Sequence, residues 1–176
     1  VEEHNLTRSI FLRDEDVGRD KAACVVQRAA AVDANVRVRA IGGDFWATLS
    51  LARLARYDCA IACVDNLEAR LRLNQLCRIA GVDLINVAID SRFVTVDLFP
   101  LSGGEVACYE CCLPDSAYQR IAERYSCGGL RRLAWRARKV PTTAITASLA
   151  GAFAASLALR LAHERKGGAL DRKSVV

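Results

Sequence analysis

The chain predicts an α/β fold, a Rossmann-like and mostly parallel sheet flanked by helices, on two observations. Helical apolar patterns alternate with short strand-like runs over the first hundred residues. One run, Cys59-Ala60-Ile61-Ala62-Cys63-Val64, is continuously apolar, as a parallel strand covered on both faces would be.

In order along the chain, Asp16-Val17-Gly18 leads into a helix running to about Val32, with Ala22, Ala23, Val25, Val26 and Ala29 on its apolar side. Val36-Arg37-Val38-Arg39-Ala40 alternates as a half-buried strand does. Gly42-Gly43-Asp44 then breaks the chain and caps an expected helix from about Phe45 to Arg56. After the apolar strand, Asn66 to Ala80 carries Leu67, Leu71, Asn74 and Ile79 near helical spacing, and Gly81 ends it. Leu84–Ala88 and Phe93–Leu98 follow as strands.

Leu101 to Val140 reads as a long irregular stretch, and such loops in compact domains are functional or mobile. Thr142 to Ala162 closes the domain as an expected buried helix. It is long enough to span a membrane, but its Ala, Ser and Thr content makes insertion unfavourable. Ala147, Gly151 and Ala155 offer a ridge of small residues for close packing in a soluble core.

With 176 residues, 52% apolar and 26% charged, the composition is that of one globular domain. The expected division is 1–100 for the α/β part, 101–140 for the cysteine-rich loop, 141–163 for the buried helix and 164–176 for a basic tail. The net charge of +5 is unevenly carried. Arg131, Arg132, Arg136, Arg138 and Lys139 cluster in one segment, and Arg165, Lys166, Arg172 and Lys173 load the tail. Such a patch either meets nucleic acid or an acidic partner, or is a solvated loop. Of eight cysteines, Cys24, Cys59, Cys63 and Cys77 lie in apolar patterns, while Cys108, Cys111, Cys112 and Cys127 crowd the loop region. That division fits a reducing, cytoplasmic setting with one chemical cysteine cluster.

Three side chains are placed for phosphate chemistry. Asp65 stands at the carboxyl end of a strand, where open α/β sheets bind ligands and a carboxylate can hold magnesium. It can equally cap the following helix, and the two roles coexist. Lys21 falls in the first turn of a helix, beside backbone N–H groups that attract phosphate. Arg8 brings a planar fork suited to the same group, although each of these two cations, taken alone, also reads as an ordinary surface residue.

Asn5-Leu6-x-Arg8, Asp16-Val17-Gly18-x-x-Lys21-Ala22 and Asp65-Asn66-x-x-x-Arg70-x-x-x-Asn74, in that order, resemble the MoeB/ThiF family of adenylyltransferases, related to ubiquitin-activating enzymes. Ser9 stands where the family's first motif has glutamine. The resemblance covers nearly the whole chain. It implies that Asn5, Arg8 and Lys21 contact ATP, that Asp65 serves Mg2+ and the adenylation step, and that Arg70 and Asn74 support the site. It further implies adenylation of the C-terminal Gly-Gly of a ubiquitin-like sulfur-carrier protein, and a homodimer. Relatives that activate a peptide or a tRNA base keep those acceptors open, and a non-catalytic partner subunit of the same fold is the third alternative.

The family's glycine-rich nucleotide loop and ribose-binding acid precede its Asn-Leu-x-Arg motif. The chain is therefore expected to be truncated at its N-terminus, with a C-terminal cut also open, and to bind ATP weakly or not at all on its own. Cys108-Tyr109-Glu110-Cys111 resembles half of the family's structural zinc site. Its second pair lies past Val176, or Cys112 and Cys127 complete a different site, or no zinc is bound. Cys127 sits where some members carry a cysteine that becomes linked to the activated protein. Flanked by glycine and near arginines, it is either that nucleophile or a spare thiol.

Overall fold

The computed structural model describes residues 1–90, 92–125, 142–165 and 167. Its centre is a three-stranded sheet of β1 (Cys59–Ala62), β2 (Asp83–Ile89) and β3 (Val94–Phe99), in that spatial order. β1 and β2 are parallel, with Cys59 opposite Asp83 and Ala62 opposite Asn86. The helix between them supplies the crossover that a parallel pair requires. β3 follows β2 with no helix between, so it returns antiparallel, with Leu84 opposite Phe99 and Ile89 opposite Val94. The Asp90 carboxylate closes that hairpin by accepting the Arg92 and Phe93 N–H groups at 2.6 and 2.7 Å.

Seven α-helical segments surround the sheet among the described residues: α1 (Glu3–Leu6), α2 (Lys21–Val32), α3 (Phe45–Thr48), α4 (Leu51–Leu54), α5 (Leu67–Ala80), α6 (Ser116–Tyr125) and α7 (Ala144–Arg165). Alternation along β2 sets the layers, because successive side chains leave opposite faces. Leu84 points toward α5 and joins Leu54, Ala62, Leu73, Leu76, Cys77 and Phe99. Ile85 and Val87 point the other way, onto Ala150, Ala154 and Leu161 of α7. Truncating a fully buried aliphatic such as Leu84 in a layer of this kind costs about 2–5 kcal/mol.

The ends of α5 are set locally. Asn66 caps its start, its side chain accepting the Ala69 N–H at 2.8 Å. Gly81 adopts φ 64°, a left-handed conformation that a Cβ would strain, and Val82 N–H bonds Cys77 C=O at 2.9 Å in a six-to-one closure. α2 begins at Lys21, because the Asp20 carboxylate accepts the Ala23 N–H at 2.7 Å and so fixes the cap there.

Several sequence expectations are corrected. Val36–Ala40 forms no strand: alternation supplies a pattern, but no neighbouring strand among the described residues offers it a ladder. The helix expected over Phe45–Arg56 is two single turns, because Ser50 caps a new start by accepting the Arg53 N–H while Leu49 is extended. β1 is not covered on both faces. Among the described residues it is an edge strand, and Ile61 is 42% exposed. On α5, Ile79 faces out, and Leu73, Leu76 and Cys77 take the core face instead. Within 101–140 the irregular stretch contains α6 and two short 3₁₀ turns, Leu101–Gly103 and Glu110–Cys112.

The final helix is buried along one stripe only. Thr146, Ala150, Ala154 and Leu161 face the sheet, whereas Gly151 and Ala155 of the expected ridge lie outside it. Ile145, Leu149, Phe153 and Leu159 are exposed. By length and composition α7 is apolar enough to cross a membrane, while its buried stripe packs on β2 and β3. Its C-terminal Arg165 ties it to the sheet, donating to the buried Asp83 at 3.2 Å and lying 3.6 Å from Asp58.

Candidate functional site: a cationic cleft beside the sheet

Residues 5–9, the first turns of α2 and the segment 38–41 enclose a cleft of about 440 Å³. Asn5, Arg8 and Lys21 all line it. Its apolar wall comes from Leu12, Val25, Val26 and Val38. Lys21 is the first residue of α2, so the unpaired N–H groups of that first turn share the cleft with its ammonium. Arg8 Nη1 donates to Thr142 Oγ1 at 3.2 Å, linking the cleft to the chain two residues before α7. Asn5 Oδ1 accepts the Glu2 N–H at 3.0 Å, which holds the α1 turn in place.

A buried carboxylate ties the turn before α2 to α2 itself. Asp16 is buried and accepts hydrogen bonds from Arg28 at 2.5 Å, Arg19 at 2.9 Å and the Arg13 N–H at 3.0 Å. The Arg28 guanidinium, more than the backbone donor, holds its carboxyl down at about 2.

Asp65 lies outside the lining of this cleft, exposed past the end of β1. Its Oδ1 accepts from Asn66 Nδ2 at 3.2 Å. Because Asn66 performs the cap, the Asp65 carboxylate is left open to solvent and a cation. Arg70, one turn on, donates to Asn86 Oδ1 at 2.5 Å, Val87 C=O at 2.7 Å and Val64 C=O at 2.6 Å. It thereby clamps the segment carrying Asp65 against β2. Asn86 passes the network on to Asp97 at 3.3 Å.

Asn74 is fully buried on α5. Its Nδ2 donates to Cys108 Sγ at 3.4 Å, and its Oδ1 accepts the Tyr109 N–H at 3.1 Å. Arg78 Nη1 approaches the same sulfur at 3.8 Å. Burial pushes the Cys108 thiol up, but hydrogen bonds from Asn74 and from the Cys111 backbone and thiol outweigh it, so the thiol settles at about 7.

Cys108 and Cys111 sulfurs are 3.6 Å apart, close to the ~3.8 Å between two thiolates on one tetrahedral zinc. They fit as two ligands. Among the described residues no group of three or more His, Cys, Asp or Glu could hold a metal ion. Cys112 is exposed, and Cys127 lies outside the described residues, as does the Arg131–Lys139 segment. Sequence reasoning missed Arg39, which also lines the cleft. In an alternating segment an arginine reads as the solvent face of a strand, and no local signal marked it.

Comparison with known proteins places this geometry. Ubiquitin-like modifier-activating enzyme 5 of Oryza sativa subsp. japonica is 28% identical over 156 residues, covering 81% of this chain and 36% of that protein. The sulfur carrier protein ThiS adenylyltransferase of Escherichia coli (strain K12) is 25% identical over 120 residues, covering 64% of this chain and 44% of that protein. The chain thus spans less than half the length of either relative. A crystal structure of E. coli MccB with ATP shares the fold, with a TM-score of 0.65 at 20% identity, over 92% of this chain and 45% of that one. The ThiF family model matches residues 1–173, and the chain belongs to the ThiF family.

Proposed function

We propose that the chain is the ThiF-family part of an enzyme that uses ATP to adenylate a carboxylate, releasing pyrophosphate. The observation that carries this is the meeting of Asn5, Arg8 and Lys21 in one cleft with an apolar wall. A nucleotide has the matching halves, a flat base and an anionic tail. The reaction joins a carboxylate oxygen to the α-phosphorus as the bond to the bridging oxygen breaks. Arg8 and Lys21 would neutralise the charge that gathers on the leaving pyrophosphate, and the first turn of α2 adds fixed N–H dipoles. Asn5, fixed by its bond to the Glu2 N–H, orients the nucleotide. Asp65, open to solvent and freed of capping duty, would hold Mg2+.

The acceptor we favour is the C-terminal Gly-Gly of a ubiquitin-like sulfur carrier, in keeping with the names of the two relatives. Cys127, which lies outside the described residues, would then receive the activated acyl group as AMP leaves. Cys108 and Cys111 would supply two thiolates to a structural Zn2+. The exposed face of α7, with Leu149 and Phe153, supports a homodimer. All seven described cysteines are free thiols, which agrees with a cytoplasmic setting.

The test is to incubate the protein at natural length with magnesium, ATP labelled at the α-phosphate, and a carrier ending in Gly-Gly. A labelled acyl-adenylate on the carrier supports the assignment. Label on a peptide or a tRNA instead moves the acceptor, and MccB has been solved with AMPCPP and MccA. No adenylate on any carboxylate would leave a partner subunit that keeps the fold without the chemistry.

A further inference from the structure

We infer that Arg39 is a third phosphate-binding residue of the cleft, and that it makes the cleft selective for a triphosphate over a monophosphate. The inference rests on the adenylation reading and goes beyond it, because Arg39 belongs to none of the three motifs.

The placement is specific. Val38, Arg39, Ala40 and Ile41 are consecutive and all line the cleft. A strand in a ladder would send alternate residues to opposite faces. Freed from pairing, this segment runs along the cleft with both sets of side chains contributing. Arg37, which strict alternation would put beside Arg39, is not part of the lining.

The charge of Arg39 is also available. Elsewhere in the molecule arginines near acids are spent in pairs: Arg19 and Arg28 on Asp16, and Arg165 on Asp83. Among the described residues Arg39 and Lys21 have no such partner, and Arg8 meets only the neutral hydroxyl of Thr142. The cleft lining contains three cations and no carboxylate. A triphosphate tail carries more negative charge, on more oxygens, than a monophosphate, so it gains more from three cations in one lining. The guanidinium fork further favours the paired oxygens of phosphate over a single point acceptor.

The experiment has two readouts on wild type, Arg39→Gln and Arg39→Lys, with circular dichroism confirming the fold of each. Titration calorimetry with inorganic tripolyphosphate and with AMP reads the anion site without any chemistry. ATP–pyrophosphate exchange at natural length reads the reaction. Loss of one charged hydrogen-bonding group predicts tripolyphosphate affinity about tenfold or more weaker in Arg39→Gln, partly restored in Arg39→Lys. AMP affinity should change less than about twofold, and the KM for ATP should rise with the KM of the acceptor unchanged. Unaltered tripolyphosphate binding in Arg39→Gln overturns the inference even if exchange proceeds normally. A shift confined to the acceptor KM also overturns it, assigning Arg39 to the acceptor carboxylate. If wild type shows no exchange, the adenylation reading fails, and the calorimetry still decides whether Arg39 binds phosphate.

Discussion

Asn74 and Cys108 meet through a hydrogen bond of 3.4 Å from the Asn74 amide to the cysteine sulfur, joining the middle of α5 to the Cys-x-x-Cys turn. The same side chain satisfies the Tyr109 N–H, so one buried amide holds both the sulfur and the backbone of that turn. Replacing Asn74 with Ala leaves the Tyr109 N–H without that acceptor and opens a void. It should destabilise the protein by about 2–4 kcal/mol in urea unfolding. The Cys108 thiol, at about 7 in the native protein, should titrate higher in the variant, read from the ¹³Cβ shift of Cys108 across pH. An unchanged midpoint would remove Asn74 from the account of that thiol.

Arg70 reaches three acceptors, two on β2 and one on the segment just past β1, a geometry that suits a planar fork. Arg70→Lys should therefore behave much like Arg70→Ala, each costing about 2–4 kcal/mol. Equal stability of Arg70→Lys and wild type in denaturant titration would show that charge alone suffices.

Asp65→Ala should abolish ATP–pyrophosphate exchange while the melting temperature stays within about 2 °C. The side chain is exposed and Asn66, not Asp65, caps the helix. Undiminished exchange in this variant would remove Asp65 from the reaction.

Asp16 links stability to acidity. Its carboxyl sits near 3.8 when unfolded and is lowered to about 2 in the fold, chiefly by Arg28. The fold favours its charged form, so its contribution is fully present above about pH 4 and is lost as pH falls toward 2. Asp16→Asn should lower stability at neutral pH and flatten the acid limb of the stability curve. A variant with the same pH slope as wild type would place the acid sensitivity elsewhere.

What the sequence made legible was local. The α5 helix could be bounded because Asn66 and Gly81 carry their own cap chemistry. Lys21 does stand in the first turn of its helix, although the Asp20 cap that sets the start is visible only in the structure. Asn5, Arg8 and Lys21 stand out in the sequence by their motifs, and one cleft collects them. What failed depended on partners. Val36–Ala40 has strand alternation but no ladder, and the break at Ser50 turned on a side chain outcompeting a helix continuation. The packed stripe on α7 falls at Thr146, Ala150 and Ala154, one position from the ridge of small residues, because the sheet selects the face. Arg39 escaped notice for the same reason: only the enclosing segments show that it faces the cleft.

The central claim is that the cleft shared by Asn5, Arg8 and Lys21 is where ATP reacts. Its most direct test is ATP–pyrophosphate exchange by the protein at natural length, comparing wild type with Arg8→Ala and Lys21→Ala at matched fold by circular dichroism. The account predicts exchange in wild type and a loss of about a hundredfold or more in each variant. Exchange that persists at the wild-type rate in both variants would contradict it.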